Sequence, residues 1–130
     1  MKSKSKFIPV NIPKLYKDER TNITKCIKTN WISSEGKFVK EFESNFSKFN
    51  RRKYGIAVSS GTAALEISIK ALNLRKNTEV IIPAFSIIST ALCVVKLGLK
   101  PILVDCDIKT WNTHPNQILE KINNKTSAII

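Results

Sequence analysis

The sequence predicts an α/β fold: a parallel sheet built from βαβ units and preceded by two N-terminal helices. Two observations carry that prediction. Four short unbroken apolar runs, Ile56-Ala-Val58, Val80-Ile-Ile82, Ile102-Leu-Val104 and Ala128-Ile-Ile130, begin 24, 22 and 26 residues apart. Runs that do not alternate with polar residues suit strands buried on both faces, which is the habit of parallel sheets. The intervals leave room for one crossover helix each. Apolar residues recur there at helical steps, as Leu65, Ile69 and Leu72 in the first interval and Ile88, Leu92 and Val95, with Ala91, in the second.

Taken in order, residues 1–12 read as an extended, basic N-terminal arm. Pro13 is placed to open a helix to about Thr29, because its fixed φ and missing N–H cost nothing in a first turn. Leu15, Ile23, Cys26 and Ile27 give that helix an apolar stripe. Phe38, Phe42, Phe46 and Phe49 recur at steps of four, four and three, which predicts a second helix whose aromatic face is buried. The strands and crossovers follow, and Pro115 opens a further helix from Asn116 to Ile122. Ala128–Ile130 reads as a buried strand with nothing after it to cover its face. The expectation is therefore an incomplete domain over residues 13–130, the N-terminal portion of a larger fold.

Composition narrows the function. The 130 residues carry 22 Lys or Arg against 10 Asp or Glu, a formal charge of +12. Residues 1–54 hold 14 cations and 5 acids, so most of the excess sits in the front half. Such a field suits an anionic substrate. No Arg-rich recognition helix or Gly-aromatic RNA motif accompanies it, so nucleic acid is not the expected partner. The longest apolar runs fall far short of the roughly 20 residues needed to span a bilayer, and the basic N-terminus lacks the apolar core of a secretory signal. The expected address is cytoplasmic. Three cysteines, Cys26, Cys93 and Cys106, are an odd number without C-x-x-C spacing, which suits free structural thiols better than a zinc site.

The sharpest local feature is Val58-Ser-Ser-Gly-Thr-Ala-Ala64. A strand end passing through small residues into a helix presents unpaired N–H groups and a positive dipole to an anion at the ligand edge of a parallel sheet. Ser60 and Thr62 could add hydroxyl donors, and Gly61 permits close approach. Serine and threonine are also the preferred helix N-caps, so a purely structural cap explains the same residue types. The pattern is neither a P-loop nor a nucleophile elbow. Asp105 and Asp107 suggest a carboxylate pair whose expected work is capping. His114, the single histidine, is expected at the surface.

Four segments in order resemble one family. Trp31-Ile-Ser-Ser-Glu-Gly-Lys-Phe-Val39 leads to Tyr54-Gly-Ile-Ala-Val-Ser-Ser-Gly-Thr-Ala-Ala-Leu65; Glu79-Val-Ile-Ile-Pro-Ala-Phe-Ser-Ile-Ile-Ser-Thr90 and Gly98-Leu-Lys-Pro-Ile-Leu-Val-Asp105 follow, with Thr110-Trp-Asn112 and the final Ala128–Ile130. Together they resemble the start of the DegT/DnrJ/EryC1/StrS sugar aminotransferases, above all the perosamine-synthase-like members. The resemblance implies part of the large domain of a fold-type-I enzyme using pyridoxal 5'-phosphate (PLP). It also implies a 4-keto nucleotide-sugar substrate, an amino-acid amino donor, and a homodimer or a complementing C-terminal chain as partner.

Carried over by position, Ser60, Gly61, Thr62 and Ala63 are expected around the cofactor phosphate. Ile87 falls where many members place an aromatic ring over the pyridine, and can otherwise be an ordinary core isoleucine. Trp31, Ser33 and Ser34 match the segment that approaches the sugar nucleotide, although Trp31 can equally be a packing anchor. Transamination needs a lysine that holds the cofactor aldehyde and an acid against the pyridine nitrogen. In the family both lie downstream of Ile130. No lysine of this chain takes that part, so no catalytic residue is assigned and the 130 residues are expected to be inactive alone; the alternative expectation is a non-catalytic remnant or subunit-interaction module.

Overall fold

The computed structural model describes residues 7–130. The chain divides into two compact units, residues 1–57 and 58–130, a finer division than the arm and single domain read from the sequence. Each is described by itself.

The first unit holds α1 (Lys17–Lys28) and α2 (Lys37–Phe49). Residues 7–16 carry no regular element, so α1 starts four residues after Pro13 rather than at it. The Glu19 carboxylate accepts the Tyr16 N–H at 2.8 Å, which makes extended Tyr16 the cap and leaves Pro13 outside. Asp18 and Glu19 in the first turn favour the same start through the helix dipole. α1 ends in a Schellman motif: left-handed Asn30 (φ 56°) donates to Ile27 O, and Trp31 donates to Cys26 O. α2 ends the same way on Arg51 (φ 52°), with Arg52 donating to Ser47 O at 2.8 Å.

The expected aromatic seam of α2 is not buried. Phe42 and Phe46 stack on each other at 5.5 Å, yet both remain more than half exposed and Phe49 is 84% exposed. Nothing among the described residues covers that face. Ile56–Val58, expected as the first strand, forms no ladder. The Ala57 N–H donates instead to the Glu43 carboxylate at 2.8 Å, and Gly55 lies so close to Glu43 O that a Cβ would meet it at 2.6 Å. An amide engaged by a carboxylate is unavailable to a neighbouring strand.

The second unit carries the expected βα alternation: α3 (Gly61–Ala71), β1 (Glu79–Pro83), α4 (Ser89–Lys96), β2 (Lys100–Val104), α5 (Pro115–Lys121) and β3 (Thr126–Ile129). The three strands are parallel in the order β2-β1-β3, so β1 is central. Val80, Ile81 and Ile82 are buried essentially completely, as an unbroken apolar run in a middle strand must be. Val80 and Ile82 join Ile69, Cys93, Val94 and Leu99 in the core, while Ile81 faces the other side.

The face of α4 differs from expectation. Ile88, Leu92 and Val95 are exposed, and Thr90, Cys93 and Val94 are buried. In α3, Ile69 is buried but Leu72 is exposed. Both predicted stripes included residues that look away from β1. Gly98 at φ +75° ends α4 in a Schellman motif, its N–H on Val95 O and that of Leu99 on Val94 O, and turns the chain into β2. Pro115 opens α5 as expected. No helix among the described residues is long and apolar enough to cross a membrane.

Candidate functional site

The N-terminus of α3 is organised by Ser60. Its backbone is extended, its hydroxyl oxygen accepts from the Ala63 N–H at 3.2 Å, and its carbonyl accepts from the Ala64 N–H at 3.0 Å. The Ala63 amide is therefore engaged by the cap. The Gly61 and Thr62 amides donate to no group among the described residues and sit at the positive end of the helix dipole. A Cβ added to Gly61 would meet nothing within 4 Å, so the space before these amides is open.

Thr62 is fixed to α4 at two points. Its hydroxyl donates to Ser89 Oγ at 3.0 Å, and the buried Cys93 thiol donates to its carbonyl at 3.5 Å. Ser89 opens α4 just beyond the carboxyl end of β1, so the N-termini of α3 and α4 lie side by side at the sheet's ligand edge. Counting protons identifies the unspent donors: the amides of Gly61 and Thr62 and the hydroxyls of Ser60 and Ser89. Four hydrogen-bond donors beside two helix N-termini form a set that fits a phosphate group. In the sequence Ser89 carries only the ordinary signal of a serine opening a crossover helix, and its nearness to Thr62 depends on how α3 and α4 pack.

Ile87 lies two residues before Ser89 in the loop from β1 to α4, and it is 70% exposed rather than a core side chain. Ala84 N–H donates to Val104 O at 2.7 Å at the start of that loop, and Thr90 N–H donates to Ile87 O at 3.1 Å at its end. Between them the Phe85 ring meets Trp111 at 5.0 Å, tilted by 50°. Trp111 comes from a turn after β2 in which Asp107 Oδ1 accepts the Lys109 and Thr110 amides at 2.9 and 2.8 Å. Those bonds, the Thr110 amide foremost, hold the Asp107 carboxyl below its usual value. Asp105 bonds to the Cys106 N–H at 2.8 Å. Both aspartates serve local backbone, as expected for caps.

Trp31, Ser33 and Ser34 belong to the first unit, where all three are exposed. Trp31 and Ser33 line a cavity of about 410 Å³ together with Lys25, Cys26 and Lys37. Gly36 belongs there for want of space, since a Cβ would come within 2.8 Å of the Trp31 ring. Ser33 Oγ accepts the Glu35 N–H at 3.3 Å. The three cysteines are free thiols. His114 is exposed and caps α5, its Nδ1 accepting the Asn116 N–H at 3.2 Å. Lys96 pairs with Glu66 at 2.7 Å, and that contact raises its pKa.

Comparison with known proteins adds an independent line. The model of the DegT/DnrJ/EryC1/StrS aminotransferase family matches residues 13–130. GDP-perosamine synthase of Escherichia coli O157:H7 is 38% identical over 125 residues, covering 96% of this chain and 34% of that protein. The GDP-perosamine synthase of Vibrio cholerae is 33% identical, over 95% of this chain and 34% of its own length. Among solved structures, E. coli GDP-4-keto-6-deoxy-D-mannose-3-dehydratase with bound hydrated PLP matches with a TM-score of 0.82 and 31% identity, over 93% of this chain and 32% of that one. The sugar aminotransferase Spr1654 of Streptococcus pneumoniae in its PLP form matches with a TM-score of 0.80 and 27% identity, over 94% and 31%. The chain thus spans about a third of the length of these relatives. The parallel βα architecture, the ordered motifs and the match over residues 13–130 agree: the chain belongs to the DegT/DnrJ/EryC1/StrS aminotransferase family.

Proposed function

We propose that this chain supplies the cofactor-phosphate end of a PLP-dependent aminotransferase acting on a 4-keto nucleotide sugar in the cytoplasm. An amino acid is the amino donor, and the product is an amino sugar for surface polysaccharide. The observation that carries the reading is the unspent donor set at Gly61, Thr62, Ser60 and Ser89 in a chain of this family.

In this role the Gly61 and Thr62 amides hold the phosphate, and the Ser60 and Ser89 hydroxyls turn their free protons to it. Ala63 secures the cap that keeps those groups aimed. Ile87 covers one ring face by van der Waals contact, without stacking. Trp31, Ser33 and Ser34 approach the sugar nucleotide, and Lys25 and Lys37 on the same cavity complement an anionic diphosphate. Bound PLP supplies the electron sink that makes the donor's Cα proton acidic. The lysine and the acid that complete the chemistry come from outside these 130 residues, from the rest of the polypeptide or from a complementing chain, within a homodimer. The 38% identity to a GDP-perosamine synthase supports amino transfer as the reaction.

Titration with PLP, followed by cofactor fluorescence, tests the assignment. Thr62→Val removes the hydroxyl that orients Ser89 and is expected to weaken binding by about 1–3 kcal/mol, while Thr62→Ser restores it. Unchanged affinity in Thr62→Val would reduce Thr62 to an ordinary first-turn residue, and a protein that binds no PLP would remove the reading's support.

A further inference from the structure

We infer that Trp111 is a positioning residue for the loop that carries Ile87, and through it for the face of the pyridine ring; this rests on the cofactor reading above. Ala84–Ile88 is tied at its ends by the Ala84 to Val104 and Thr90 to Ile87 hydrogen bonds, and Ser86 and Thr90 hydroxyls meet at 3.4 Å. Its middle is held differently. Phe85 is 60% exposed and rests against the Trp111 ring at 5.0 Å.

The turn that delivers Trp111 is built tightly. Trp111 adopts φ +60°, a conformation that bulky residues avoid. It is held there by its own N–H on Asp107 O at 2.8 Å, by the Asp107 N–H on Asn112 O at 2.9 Å, by the two amides on the Asp107 carboxylate, and by the Cys106–Thr113 bridge. Strain of this kind persists where the surroundings over-determine it. What the conformation provides is an aromatic buttress behind Phe85. Deleting the ring frees Phe85, and the Ile87 side chain, two residues on, loses one of the supports that set it. The Thr90 bond to its carbonyl remains, and the donors at Gly61 and Thr62 stay in place.

That separation defines the test. PLP affinity and inorganic phosphate affinity are measured on the expressed protein and on Trp111→Phe, Trp111→Ala and Trp111→Gly, the last keeping the left-handed backbone without strain. The ring role predicts that Ala and Gly weaken PLP by about three- to tenfold, leave phosphate unchanged, and are rescued by Phe. Three results would overturn it: PLP affinity untouched in Ala and Gly, PLP and phosphate weakened together, or rescue by Gly but not by Phe. If the unaltered protein binds neither PLP nor phosphate, the cofactor reading falls and takes this inference with it. If it binds both and the variants match it, this inference alone falls.

Discussion

A hydroxyl proton given to Ser89 is not available to a phosphate, so in the proposed site Thr62 offers its amide directly and its side chain by orienting a neighbour. Ser60 has the complementary arrangement, accepting from Ala63 while its own proton stays free. Ser60→Ala should lower stability by about 0.5–2 kcal/mol through the lost cap, read from a denaturant melt. The same change should also weaken PLP binding, which a purely structural cap would leave alone. The helix start at Ser60, Gly61 and Thr62 was legible in the sequence because cap chemistry is local. Ser89, Cys93 and the Phe85–Trp111 contact were not, because each depends on which segments the packing places side by side.

Asp107 yields a prediction in pH. Amides from Thr110 and Lys109 and the Thr110 hydroxyl hold its carboxyl below the usual value of 3.8. A carboxyl depressed in the folded state contributes order that is fully present above 3.8 and is lost as pH falls through the lower folded value. In a Trp31→Phe background, Trp111 emission should hold steady down to that region and then shift to the red. Asp107→Asn keeps an acceptor for the same amides without a titrating proton, and should remove the pH dependence.

At the scale of elements, a left-handed glycine at the end of α4 turns the chain into β2. Gly98→Ala places a side chain at φ +75° and should cost about 1–2 kcal/mol in thermal or denaturant melts. Ile82→Ala, in the central strand, should cost about 2–5 kcal/mol. The three observed strands were readable because each holds an unbroken apolar run, although only β1 is buried along its middle, and Leu103 of β2 and Ile129 of β3 are more than half exposed. Ile56–Val58 shows the limit of that signal: an apolar run specifies a strand only when a partner pairs with its amides, and here Ala57 bonds to Glu43. Pro13 shows another limit, since a permissive first-turn residue lost to a cap made by Glu19 three residues after Tyr16.

For the whole molecule, the phenylalanines of α2 and the outward residues of α3 and α4 are apolar surfaces that hydrophobic patterning expects to be covered. The chain spans about a third of the length of its relatives. The helical periodicity was correct about where the helices lie and incomplete about what their faces meet, because a periodicity names a face without naming its partner. The formal charge of +12 favours anionic ligands in general.

The most direct measurement of the central claim is the amide ¹⁵N–¹H spectrum of the protein with inorganic phosphate, PLP and unphosphorylated pyridoxal added in turn. The Gly61 and Thr62 resonances should move with the first two and not with pyridoxal, and Ala63, bonded to Ser60, should move less. Phosphate that shifts other amides and leaves Gly61 and Thr62 where they were would contradict the account.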